Sequence, residues 1–160
     1  MVRVTGKGYG RVALAGLVCT KPGERTRLIY RRLVRRGRPG EAKGFGPREF
    51  SRLLDATHQQ LGGSLVLVWD NDRRHLSRAM RTAIEARSRW LTVFHLPAYA
   101  PELNPAEGLW ANLKRGLANL APRDTDQLAA MVKTKLKRIQ YRHGLLDGFI
   151  AETGLTLQPP

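Results

Sequence analysis

Two carboxylates in this chain of 160 residues are set apart by what precedes them. Asp70 closes the apolar run Ser64 to Asp70 (SLVLVWD), after which the chain turns. Glu107 follows Asn104-Pro105-Ala106, with 36 residues between the two acids. In open α/β sheets the carboxyl ends of strands are where ligands bind. A carboxylate beside an apolar sheet is costly unless paired, and a bound cation would offset that cost. A structural reading stands beside each. Asp70, Asn71 and Asp72 all suit helix caps. Asn at the N-cap, Pro at N1 and Glu at N3 approach a capping box worth about 1 kcal/mol. Taken together the acids gain a further reading. Both lie just after short strands, and neighbouring strands are ~5 Å apart. Two carboxylates so placed can share the divalent cations, ~3.5–4 Å apart, of a phosphoryl-transfer site.

His75, five residues after Asp70, can reach the same place from the first turn of a following helix, and His95 ends a later strand. Four histidines form no cluster with zinc-site spacing. No phosphate-binding glycine loop, dinucleotide fingerprint or nucleophile elbow is present. Trp69, Trp90 and Trp110 occupy apolar positions and read as core.

The charge balance is unusual. Lys and Arg number 28 against 13 Asp and Glu, a net charge of +15. That excludes a typical metabolic enzyme and points to a polyanionic partner, nucleic acid ahead of a membrane surface. Basic residues thicken from Lys21 to Lys43, from Arg73 to Arg89, and on the last helix at Lys133, Lys135, Lys137, Arg138 and Arg142. The expected DNA contacts are Arg35, Arg36, Arg38, Lys43, Arg73 and Arg74 from the first two groups, with Lys114 and Arg115 outside them. Such contacts give affinity and salt dependence without sequence specificity. One cysteine, Cys19, allows no internal disulfide and fits a reducing cytoplasm. No apolar run approaches the ~20 residues needed to span a bilayer, so a cytoplasmic protein without a membrane partner is expected.

The elements that must position the acids follow from pattern. Arg11 to Cys19 and Thr26 to Leu33 read as a hairpin joined through Pro22-Gly23. Gly6-Lys7-Gly8-Tyr9-Gly10 before it reads as a loop, as does the glycine-rich, basic stretch Arg35 to Gly46. Phe50, Leu53, Leu54 and Leu61 mark an amphipathic helix over Pro47 to Leu61. The run ending at Asp70 suits a strand buried on both faces. Leu76, Met80 and Ile84 mark a helix ending near Arg89, and Leu91 to Leu96 a strand. A helix from Pro105 turns Leu109, Leu113, Leu117 and Leu120 inward. The last clear helix, from about Asp124, carries Leu128, Val132, Leu136 and Ile139 on one side. The order β-β-α-β-α-β-α-α predicts an α/β fold, one domain over residues 1–160 with helices flanking a mixed sheet.

At LVLVWDNDRRH and LPAYAPELNPAEGLWANLK the chain resembles the DDE-superfamily transposases of bacterial insertion sequences related to mariner elements. Asp70, Asn71 and His75 match a strand ending Asp-Asn-x-x-x-His. Leu96, Pro97, Tyr99, Pro101, Leu103, Asn104, Pro105, Glu107, Trp110 and Lys114 match the second block. The likeness extends more loosely from about Arg11 to Leu155.

The resemblance implies a ribonuclease-H-like fold and an acidic triad binding two Mg2+ or Mn2+ ions, with Asp70 as second acid and Glu107 as third. Asn71, His75 and Asn104 would support them. It implies cleavage of DNA and strand transfer, with insertion-sequence ends and target DNA as partners and a homodimer as one assembly. The family's first acid lies on a strand ahead of the hairpin, and here Glu24, Glu41 and Glu49 are the only acids before Asp55. The expectation is therefore a C-terminal part of the catalytic domain. It would lack the first strand and the helix-turn-helix region and would be inactive alone. A truncated gene, a degenerate copy or a frameshift-joined half completed by an upstream-encoded N-terminal portion would each give such a chain. A catalytically inactive DNA-binding remnant is the alternative.

Overall fold

The computed structural model describes residues 1–5, 10–41, 44–98 and 100–154. The chain runs β1 (Val2–Thr5), β2 (Arg11–Cys19), β3 (Arg27–Arg35), α1 (Pro47–Leu61), β4 (Leu65–Trp69), α2 (Arg78–Glu85), β5 (Leu91–His95), a short 3-10 turn (Pro101–Leu103), α3 (Pro105–Ala118), α4 (Thr125–Gln140) and α5 (His143–Ala151). The hairpin forms with β2 and β3 antiparallel from Arg11↔Arg35 to Cys19↔Arg27. β4 and β5 pair in parallel from Leu65↔Leu91 to Trp69↔His95, which sets their carboxyl ends side by side.

Alternation along β2 divides the interior into two layers, since successive side chains point to opposite faces. Val12 and Leu14 join Leu109, Trp110 and Leu113 of α3, Leu128, Val132 and Leu136 of α4, and Leu146 and Phe149 of α5. Ala13 and Ala15 join Phe50, Leu53 and Leu54 of α1 with Leu67, Trp69, Met80 and Leu91. Local signals start and stop the helices. The Glu49 carboxylate accepts the Gly46 N–H at 2.9 Å to open α1, which ends at Gly62 with φ 64°, a conformation that costs glycine little. Ser77 caps α2 and Asp124 caps α4.

Several expectations are corrected. A strand does precede the hairpin: β1 pairs with Arg11–Leu14 of β2. Valines alternating with polar residues in so short a segment gave too little pattern to show it. It carries no carboxylate. The described strands form two sheets, β1-β2-β3 and β4-β5, rather than one mixed sheet. β4 is buried on one face only. Leu67 and Trp69 are covered by the α1 layer, whereas Val66 is 70% and Val68 53% exposed, beside Phe94 at 57% on β5. Leu76 lies ahead of α2 and is exposed, and Leu120 lies beyond α3 and is exposed. Helix α5 was not foreseen; its glycines at 144 and 148 dilute the helical pattern. Residues 6–9 of the expected glycine loop lie outside the described residues.

Candidate active site

Asp70 follows the last residue of β4, and the chain doubles back on it. Its Oδ1 accepts the Asp72 N–H at 3.2 Å and lies 2.9 Å from Nδ1 of His75. The same nitrogen is 3.3 Å from the Asp70 carbonyl oxygen. Both partners are acceptors, so Nδ1 carries the ring proton. His75 is buried, and burial pushes its pKa below the ordinary histidine value against the opposing pull of Asp70 and Asp72. The contact is a hydrogen bond donated by Nδ1–H to the Asp70 carboxylate. Its ring stacks on Trp69 at 4.0 Å with an interplanar angle of 4° and meets Phe50 edge-on at 4.9 Å. Ser77, not Asp70, is the α2 N-cap, so the expected alternative of a helix-capping Asp70 is not what the structure shows.

Asn71 joins the two strand ends. Its Nδ2 donates to the Leu96 carbonyl at 2.7 Å, and the Leu96 N–H donates to the Trp69 carbonyl at 2.9 Å. The chain then runs from the end of β5 through the 3-10 turn to α3, where Glu107 sits in the first helical turn. Asn104 Oδ1 accepts the Ala106 N–H at 3.1 Å, which caps the helix. The reciprocal half of a capping box is not made: the exposed Glu107 carboxylate holds no bond to the Asn104 N–H. Lys114 is two turns along α3, on the same side as Glu107.

Asp72 serves another purpose. Arg74 grips its carboxylate with Nε at 2.7 Å and with the second guanidinium nitrogen, and this holds Asp72 well below the usual carboxylate range. The sulfur of Met1 lies 3.1 Å from Arg74 Nη1, so the same guanidinium reaches the start of the chain.

The donor chemistry fits a hard divalent cation, which prefers carboxylate and carbonyl oxygens. The donor count falls short. Among the described residues no group of three or more His, Cys, Asp or Glu is placed to hold a metal.

The expected DNA contacts divide. Arg38, Arg73, Lys114 and Arg115 are exposed. Arg36 is tied to Asp126 at 2.5 Å, Arg74 to Asp72, and the Arg35 Nε is buried without a hydrogen bond. Lys43 and Tyr99 lie outside the described residues. Phe50 and Trp69, whose rings hold His75, were read only as core. The position of Trp69 immediately before Asp70 was the available signal. The carbonyl of Leu96, which receives Asn71, leaves no trace in sequence because every residue has one.

Residues 45–129, more than half of the chain, match the family described as DDE superfamily endonuclease, and the chain belongs to it. It is 30% identical over 91 residues to the Tc1 transposase of Caenorhabditis elegans, a match covering 56% of this chain and 33% of that protein. It is 33% identical over 79 residues to the Tcb1 transposase of Caenorhabditis briggsae, covering 49% of this chain and 28% of that protein. The chain thus spans about a third of the length of these relatives. Its fold is similar to the catalytic domain of the Mos1 mariner transposase, with a TM-score of 0.50 and 18% identity over 92% of this chain and 83% of that one. The Mos1 paired-end complex with Mn gives a TM-score of 0.52 at 17% identity, over 92% of this chain and 56% of the other. At these identities the likeness speaks for the fold. Among the described residues no helix is long and apolar enough to cross a membrane.

Proposed function

We propose that this chain is the greater part of a transposase catalytic domain, in which Asp70 and Glu107 are two of the acids that hold Mg2+ or Mn2+ against a DNA phosphodiester. The observation that carries the reading is Asp70 at the carboxyl end of β4. Its carboxylate is oriented by the buried His75 and is no helix cap, and the strand end is pinned by Asn71 to the segment leading to Glu107. Divalent cations held there would activate a water or 3′-hydroxyl and stabilise the leaving oxygen. The protein's own part is to fix both carboxylates at strand and helix ends and to hold the DNA backbone with Arg73, Lys114 and Arg115.

The site takes a further acid, and we infer that a segment encoded upstream supplies it. Ala15–Cys19 of β2 has β3 on one side and no strand on the other among the described residues. Among the described residues β4 pairs only with β5. An added strand would find unpaired backbone at both edges. The bare apolar face at Val66, Val68 and Phe94 likewise fits a catalytic domain with further parts. A second copy of the chain in a homodimer is the other expected protein partner.

The test is Mg2+- or Mn2+-dependent nicking of DNA carrying the element's ends, with the chain alone and joined to its upstream-encoded portion. Asp70→Asn and Glu107→Gln each abolish nicking if the roles are right, and activity that survives both rejects them. A second reading, an inactive DNA-binding remnant, draws on the absence, among the described residues, of three acids or other ligands grouped to hold a metal. It is supported if the completed protein binds DNA but no Mn2+ at millimolar concentration.

A further inference from the structure

We infer that the outer face of α4 is a second DNA-binding surface, separate from the strand ends that carry Asp70, and that it grips the backbone phosphates of a duplex. The inference rests on the reading of DNA as the partner. Val132, Leu136 and Ile139 bury one side of α4 against β2, β3 and α3. The opposite side presents Ala130, Lys133, Thr134, Lys137, Arg138 and Tyr141, which line a shallow open trough of about 520 Å3. A second hollow, on the Leu120 and Gln127 side, shares Ala130 and Thr134 with it, so the concavity continues along the helix.

Three features suit this trough to a polyphosphate backbone. Its floor is small, Ala130 and Thr134, so an extended chain can approach closely. Its rim is cationic: Lys133, Lys137 and Arg138 are exposed, and none of them makes an ion pair among the described residues. Some other cations are matched, as Arg87 is by Asp55 and Arg36 by Asp126. Lys135 is a different case, turning its ammonium toward Gly116 of α3. The length also fits. From Ala130 to Tyr141 the helix rises ~16 Å, the span of about five phosphates at ~3.4 Å of axial rise along one strand. Tyr141, 70% exposed, ends the row with an aromatic face and a hydroxyl donor.

Concentrating cations without acids on one helix face stores repulsion that a polyanion relieves. The strand-end site does not account for them. α4 carries none of the residues assigned to that site; it lies in the Val12–Leu14 layer with α3, the helix of Glu107, whereas Trp69, the residue before Asp70, belongs to the Ala13–Ala15 layer.

The experiment measures binding of a labelled duplex of arbitrary sequence by fluorescence anisotropy, in EDTA so that the metal site plays no part. The unaltered chain is compared with Lys133→Ala/Lys137→Ala/Arg138→Ala and with a charge-matched control, Arg48→Ala/Arg52→Ala/Arg81→Ala, at exposed positions of α1 and α2. Circular dichroism confirms that each variant is folded. Losing three phosphate contacts lowers the slope of log K against log salt by about 2.7 in the α4 variant. Its affinity then falls about 40-fold less than that of the unaltered chain between 50 and 200 mM salt, by that slope. The control keeps a slope close to the original. Equal slopes for the two variants overturn the inference while leaving DNA as the partner, and an unaltered chain that binds no duplex overturns both.

Discussion

Replacing His75 tests whether the imidazole holds the Asp70 carboxylate in place. In His75→Ala the edge-on contact with Phe50 is lost, and two stronger interactions set the cost. The face-to-face stack on Trp69 is worth about 1 kcal/mol beyond burial. The hydrogen bond to Asp70 Oδ1 at 2.9 Å has a charged acceptor, so it falls in the class worth ~1.5–3 kcal/mol. The Asp70 side chain keeps 37% of its exposure, so water competes and the lower end, about 1.5 kcal/mol, applies. The sum is about 2.5 kcal/mol, which for a chain of this size lowers Tm by roughly 5–10 °C. His75→Asn sets an amide N–H close to where Nδ1 stood. It keeps the hydrogen bond, loses the stack, and costs about 1 kcal/mol. Urea titration at neutral pH, followed by tryptophan fluorescence, reads both values. Two results would refute the reasoning: an alanine variant within about 0.5 kcal/mol of the parent, or an asparagine variant no more stable than the alanine one.

Two other outcomes follow from the geometry. A Cβ at Gly16 would stand 3.0 Å from Trp110 Cη2 and 3.4 Å from Tyr30 Cβ, so Gly16→Ala overpacks the α3–β2 interface, with an expected loss of ~1–3 kcal/mol in chemical denaturation and an altered near-ultraviolet signal from Trp110. The Arg74 grip lowers the Asp72 pKa; its stabilisation is complete above the unfolded value of about 3.9 and fades as pH falls below it, so Asp72→Asn should flatten the acid limb of a Tm-against-pH curve between about pH 4 and 2 while leaving its shape above pH 6 unchanged.

The elements that seat the candidate site were legible because their signals are local. The run Leu65–Trp69 and the repeat of Phe50, Leu53 and Leu54 announced a strand and a helix. Asn104 and Pro105 announced the start of α3 and so placed Glu107 in a first turn. What escaped depends on tertiary neighbours. An apolar run in β4 looks the same whether one face or two are covered, and the exposure of Val66 and Val68 follows from which layers pack on β4. β1 is too short to show a period, and it forms by pairing with Arg11–Leu14 of β2. In sequence Asp70 reads equally as a cap or as a functional acid, whereas Glu107 alone reads first as part of a capping box. Hydrogen bonding bears on the capping half alone: Ser77 takes the α2 cap, and Asn104 alone caps α3. Which arginines remain free for a partner was equally hidden, because Arg36 is spent on Asp126, 90 positions away.

The bare side of the β4–β5 ribbon bears on how copies of this chain meet in solution. Oily valines and a phenylalanine on one side, with no further strand paired along either margin among the described residues, make a surface prone to stick to its own kind. Mutual repulsion between strongly cationic particles opposes that clumping, and dissolved electrolyte weakens the repulsion without weakening the stickiness. Colloidal behaviour and the proposed grip on DNA therefore answer to the same variable: ionic strength that would loosen that grip favours self-association.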